Sequence, residues 1–203
     1  MAITTYSELK TAVANWLHRD DLTALVPDFI ALGEAKIYRD LRISAMETAL
    51  SGTISSGGVA LPSGYLELKS AYIDGSPTQR LQRKDAGWLY TAYPDRSSSG
   101  KPVYIAREAS GFIFGPYPDS AYTIKGVYYK RLDALSDSNT TNWFIENAVD
   151  LLMAAALVEG SDYASDDAGM AKWTARYTQM VLEIQAKDDA EQFSGSTLSV
   201  GRS

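Results

Sequence analysis

The sequence predicts an α+β fold: mainly a helical bundle of four main helices, two N-terminal and two C-terminal, with an inserted small antiparallel β module and a flexible C-terminal tail. Three observations carry this. Apolar residues recur at three- and four-residue spacing from Tyr6 to Ile43 and again from Trp143 to Ala190. Between those stretches lie short pieces rich in Tyr, Gly and Ser, with turn residues at close intervals. Past Ala190 the run EQFSGSTLSVGRS has no period. The expected divisions are 1–44 for an N-terminal helical hairpin, 45–141 for the β-rich insertion, 142–190 for the C-terminal helices and 191–203 for the tail.

Thr5 and Glu8 have the spacing of a capping box, in which the hydroxyl and the carboxylate each satisfy a backbone N–H at the helix start. Leu9, Val13, Trp16 and Leu17 then share one helical face. His18 to Asp21 read as the turn out of this helix. Pro27 suits the first turn of a second helix, where its missing N–H has no partner to lose. Phe29, Ile30, Gly33, Ile37 and Leu41 form the buried stripe of that helix, with Lys36 and Asp40 four apart on the solvated side.

From Glu47 onward Gly52, Gly57, Gly58, Pro62 and Gly64 punctuate short apolar pieces. Leu66, Leu68 and Tyr72 are expected to mark the inner side of a strand that ends in an Asp74-Gly75 turn. Arg83 to Tyr93 fit one or two helical turns that place Trp88 and Leu89 on the sheet. Further strands are expected at 103–107, 111–114 and 122–130, and a mobile loop at 95–100.

Asn142 is a suitable N-cap for a helix running from Trp143 to Glu159 and ended by Gly160. That helix is apolar almost all round, and Ala154, Ala155 and Ala156 would let a neighbour approach closely, so it is expected to be the central one. A last helix, starting near Ser165, carries Met170, Trp173, Tyr177, Met180 and Ile184 on one face.

Composition excludes several kinds of chemistry. The chain has 203 residues, no cysteine and one histidine, His18. Disulfides, thiolate metal sites, Cys nucleophiles and His clusters are therefore excluded. A formal net charge of −6 argues against a protein held on nucleic acid by many phosphate contacts. The first residues, MAITTYSELK, lack the basic and apolar regions of a signal peptide. The longest apolar run, Ala148 to Val158, is far short of the roughly 20 residues of a membrane span. A soluble intracellular product is expected.

The candidate sites have plain structural readings. His18 with Asp20 and Asp21 resembles a base and its orienting carboxylate, but a solvated turn explains it better. Asp133, Asp137 and Asn139 suggest a calcium loop, yet Asn142 and Ala148 stand where that loop needs Gly and Glu. Ser56-Gly57-Gly58 lacks the Lys of a phosphate loop and reads as a hairpin tip. Asp162, Asp166 and Asp167 suit a helix start, where the dipole favours negative charge. The 13 tyrosines suggest a binding face, although Tyr128 and Tyr129 must point to opposite sides of one strand. The tail differs from these: Phe193, Leu198 and Val200 are apolar residues that it cannot bury by itself, as in segments that order on a partner.

Several blocks, in order, carry a family resemblance: Tyr6 to Glu47, Ala60 to Gly75 (ALPSGYLELKSAYIDG), the segments GKPVYIAREASGFIFGPYP and YTIKGVYYKRLDALSDSNTTNWF, and the SG-x-x-L element within Phe193 to Gly201. Together they make the chain similar to the head–tail adaptor (connector) proteins of tailed bacteriophages. One departure is FIENAVDLLMAAALVEG, which lacks the Pro-Asp and aromatic pattern of many relatives.

The resemblance implies a virion structural protein, made in the host cytoplasm, that forms a ring of about twelve copies at the head–tail interface. Its implied partners are the portal protein, on which it docks, and a downstream tail protein such as a nozzle. It also implies that Phe193, Leu198 and Val200 bind the portal, that DNA passes through the lumen without specific binding, and that the protein has no catalytic residues. No cofactor or metal is expected, and the chain alone is expected to be a monomer or weak oligomer. The alternative is a Tyr/Trp-rich carbohydrate- or peptide-binding module of a phage tail.

Overall fold

The computed structural model describes residues 3–54, 57–95 and 99–193. In chain order its helices are α1 (Tyr6–Leu17), α2 (Val26–Asp40), α3 (Ala86–Ala92), α4 (Trp143–Asn147), α5 (Val149–Tyr163) and α6 (Asp167–Phe193). Its strands are β1 (Glu47–Thr53), β2 (Gly58–Ala60), β3 (Tyr65–Ile73), β4 (Gln79–Arg80), β5 (Gln82–Arg83), β6 (Ser99–Gly100), β7 (Tyr104–Glu108), β8 (Gly111–Gly115), β9 (Tyr117–Pro118) and β10 (Thr123–Lys130). The chain divides into two units, Met1–Ala45 with Leu132–Ser203, and Met46–Arg131.

In the helical unit the capping box closes α1: Thr5 Oγ accepts from Glu8 N at 3.3 Å, and Glu8 Oε2 accepts from Thr5 N at 3.1 Å. Leu9 and Val13 are buried as expected, but Trp16 is 47 % exposed and meets Trp173 edge-on, with ring centroids 5.4 Å apart. The whole predicted stripe of α2 is buried. At its centre Gly33 lies against Ala155 and Ala156 of α5. Nearly every apolar residue of α5 is buried, so it is the central helix of this unit.

In the β unit, β1, β10, β3 and β4 form one sheet in that order, and β2, β8, β7 and β5 a second. The inner faces of both contribute to one core, with Leu68 and Ile124 from the first and Ile105 and Phe112 from the second. The β10–β3 register shifts between Val127 and Tyr128. An extra residue reverses the alternation of β3. Leu68 therefore points inward, followed by Ala71 and Ile73, whereas Tyr72 is only half-buried.

The predicted architecture of a four-helix bundle with a small antiparallel β module is wrong. Among the described residues there are six α-helices and ten strands in three sheets, an α+β fold with a substantial β unit. Two of the strand pairings, β5 with β7 and β6 with β9, are parallel. The two-residue strands are too short to show any alternation, which is why the β content was underestimated. Ser99 and Gly100, expected in a loop, belong to one of these pairs. The helix expected from Trp143 breaks at Ala148, whose φ of −151° and ψ of 46° are not helical, so α4 and α5 are separate. Gly160 does not end α5. It is buried inside the last turns, and a Cβ there would meet Leu17 at 2.8 Å.

Candidate functional site

The His18–Asp21 and Asp133–Asn139 segments singled out in the sequence are held by local contacts. His18 ends α1 in the left-handed region (φ 52°) and is exposed. The Asp21 carboxylate pairs with Arg19 at 2.8 Å rather than serving the imidazole, and the Arg19 hydrogen bond holds its pKa below the usual carboxylate value. Asp20 begins the 3-10 turn Asp20–Leu25. Asp137 turns away from its loop to pair with Lys10 at 2.6 Å, while Asn139 donates to the Asp133 and Ala134 carbonyls. The Asp133 and Asp137 carboxylates are thus not collected on one point. Among the described residues no group of three or more His, Cys, Asp or Glu side chains could hold a metal ion.

Gly57 adopts φ 81° just before β2, a conformation that favours glycine, but the segment is not the hairpin tip expected, because β1 and β2 pair in different sheets; Ser56 lies outside the described residues. Asp166 precedes α6 and accepts from Gly169 N at 3.0 Å, and Asp167 opens that helix, the helix-start role expected; Asp162, expected there too, lies instead in the last turn of α5. Tyr6, Tyr38, Tyr128 and Tyr177 are buried, and Trp88, Tyr93 and Tyr104 pack on one another. Phe193 is the last residue of α6, and Leu198 and Val200 lie outside the described residues.

Two buried carboxylates escaped sequence reasoning. Glu34 is 5 % exposed; it receives Asn142 Nδ2 at 3.1 Å and Leu135 N at 3.4 Å. Asp188 is 7 % exposed; it accepts from Ser44 N at 2.9 Å, from Ser44 Oγ, and from Gln192 Nε2 at 2.7 Å. Their positions held a signal. Glu34 is four after the buried Ile30 and Asp188 four after the partly buried Ile184, so each lies on the inward face of its helix and must there receive hydrogen bonds. Both brace the helical unit. The Asp188 contact fixes the last third of α6, the element that leads toward Phe193.

The surfaces left for partners are of two kinds. The outer side of α1 has a cleft of about 310 Å³ lined by Ile3, Ala12, Asn15 and Trp16. The β unit has a cleft of about 220 Å³ whose rim holds Arg83, Lys84 and Arg107 and whose floor holds Leu68, Ile105 and Phe112. The second was missed because its cations come from strands far apart in sequence. Neither brings together a nucleophile, a base and a group to orient it, as a hydrolytic site would. No helix among the described residues is long and apolar enough to cross a membrane.

No match is found among curated proteins. The family model described as SU10 adaptor protein matches residues 4–201, running through both units without a break. A match of that extent, on a chain whose described surfaces offer contacts, leads to one conclusion: the chain belongs to the SU10 adaptor protein family.

Proposed function

We propose that this chain is the head-to-tail adaptor of a tailed bacteriophage, a structural component of the virion. It docks on the portal protein as a ring of about twelve copies, receives a downstream tail component and continues the DNA channel. The observation that carries this reading is the family match over residues 4–201. The motif blocks that resemble phage adaptors support it, because they recur in order over nearly the same span.

In this reading Phe193, Leu198 and Val200 are the portal-binding residues. They are apolar: Phe193 is the last residue of α6, and Leu198 and Val200 come after it in the sequence, where a partner's surface would bury them. The chain without its portal is accordingly a monomer or weak oligomer. The acidic balance lets DNA pass the lumen without adhering, since phosphate contacts come from Lys and Arg.

The test is to mix the chain with the portal protein of the same phage and image the complex. A closed collar on the portal is expected, and no association would reject the reading. A chain ending at Ala190 keeps Asp188 and its bond to Ser44, so it should fold yet fail to bind the portal. Full binding by that shorter chain would remove the tail from the mechanism.

A further inference from the structure

The two units differ in charge. In the helical unit Asp and Glu greatly outnumber Lys and Arg, whereas in Met46–Arg131 Lys and Arg are in excess. The imbalance is not neutralised locally. Arg80, Lys84 and Arg107 enter no salt bridge among the described residues, and Lys84 and Arg107 lie instead over aromatic rings. In the helical unit Glu159, Asp162, Asp166 and Asp167 lie close together in the sequence around the α5–α6 turn, an acidic corner that pairs with no described cation. Arg19 lines the same corner but is taken by Asp21.

The cations of the β cleft are held in place. Arg83 donates from Nη1 to the Leu68 carbonyl at 2.7 Å, which fixes the guanidinium while leaving its other N–H groups available. The Arg107 guanidinium lies 5.5 Å from the Tyr65 ring centroid, and Lys84 Nζ 4.9 Å from that of Trp88. Backbone pairing of β5 with β7 places Arg83 beside Ile105, and Lys84 N donates to the Ile105 carbonyl at 3.0 Å. Preset cations of this kind lose little freedom when an anion arrives, and arginine forks match carboxylates in particular.

We propose that this cleft, with Arg83, Lys84 and Arg107 as its cationic rim, receives the acidic α5–α6 corner of a second copy of the chain in a head-to-tail contact. The inference rests on the ring reading above and supplies a contact for it. A contact between unlike faces leaves one free face at each end, so it propagates until a ring closes. The cleft does not suit a nucleic acid that binds by stacking its bases. Glu67, 3.4 Å from Arg83, already takes part of that residue's charge, so Lys84 and Arg107 carry most of the attraction for an anion. The Tyr65 ring is occupied by Arg107 and Tyr128, which leaves no platform for a stacked base.

The test uses two full-length chains with charges removed. Lys84→Gln with Arg107→Gln weakens the cleft, both residues being exposed and outside the core. Glu159→Gln with Asp162→Asn weakens the corner in the last turns of α5, and because neither pair of changes introduces a charge the two altered faces do not attract each other. Circular dichroism confirms folding. Wild type at low salt should self-associate in analytical ultracentrifugation and dissociate as salt rises, while each variant alone associates at least about tenfold more weakly. An equimolar mixture of the two variants should give a complex that stops at one copy of each, because only one intact cleft meets one intact corner. A mixture that stays monomeric, variants that associate like wild type, or a short DNA duplex bound by wild type and released by the Lys84 and Arg107 changes would each overturn the proposal. The ring reading fails separately. A portal complex insensitive to both variants rejects this contact alone, whereas a one-to-one variant complex without portal binding rejects the adaptor role alone.

Discussion

Gly33 lies so close to Ala156 that a Cβ on the glycine would come within 2.9 Å of the alanine's backbone nitrogen, and within 3.1 Å of the Ala155 Cβ. α2 and α5 touch backbone to backbone there, and neither atom is the movable end of a side chain. Gly33→Val should therefore force the helices apart and destabilise the chain by about 1–3 kcal/mol. Urea unfolding followed by circular dichroism measures this. Stability equal to wild type would show that the helices separate without loss.

Asp188 should matter to stability through Ser44. Removing the carboxylate with Asp188→Ala leaves the Ser44 N–H without its acceptor in a half-buried place, a loss of about 1–3 kcal/mol. Asp188→Asn keeps an oxygen acceptor and should lose less. Hydrogen exchange read by mass spectrometry should show faster exchange in the last third of α6 for the alanine variant. Unchanged exchange there would count against the brace.

Tyr177 donates its hydroxyl to Asp40 Oδ2 at 2.8 Å. Burial, and then the Asp40 hydrogen bond, push its phenol pKa well above the ordinary value. The folded group thus holds its proton more tightly than the unfolded one. Its contribution is complete below the unfolded pKa of about 10 and is lost as pH rises beyond it. Stability should fall in alkali, and Tyr177→Phe, which has no proton to lose, should flatten that fall. Denaturant midpoints compared at neutral and alkaline pH give the answer; parallel curves would be the contrary result.

Glu8 makes the opposite case. The Thr4 N–H, then the Thr4 hydroxyl and the Thr5 groups, hydrogen-bond its carboxylate and lower its pKa in the folded chain. The stabilisation is present above the unfolded glutamate pKa and disappears as pH falls through the lower folded value. Glu8→Gln should be less stable than wild type near neutral pH, and the gap should close in acid. Thr5→Ala removes the other half of the box and should cost about 1 kcal/mol. Thermal melts across the acid range test both.

Much of the helical unit was legible from local rules. The Thr5–Glu8 box, the start at Pro27, the Asn142 cap and the α2 stripe depend on residues within one or two turns of each other, and all are present. Local rules failed where a distant partner decides. The same spacing that assigned Leu9 and Val13 to the core assigned Trp16 as well, yet Trp16 rests half-exposed against Trp173. Tyr72 was placed inward by an alternation that the shifted register of β10 interrupts.

Sequence alone determined that this chain has no thiol chemistry, where its helical stripes run and which family pattern it follows, because these depend on residue identity and near-neighbour spacing. Tertiary structure decided the extent of the β unit, the burial of Glu34 and Asp188, and the gathering of Arg83, Lys84 and Arg107 on one rim. The physical reason is the same in each case. A two-residue strand, a buried carboxylate and a cationic cleft are all defined by groups that only folding brings within a few ångströms, and no periodicity along the chain encodes that distance.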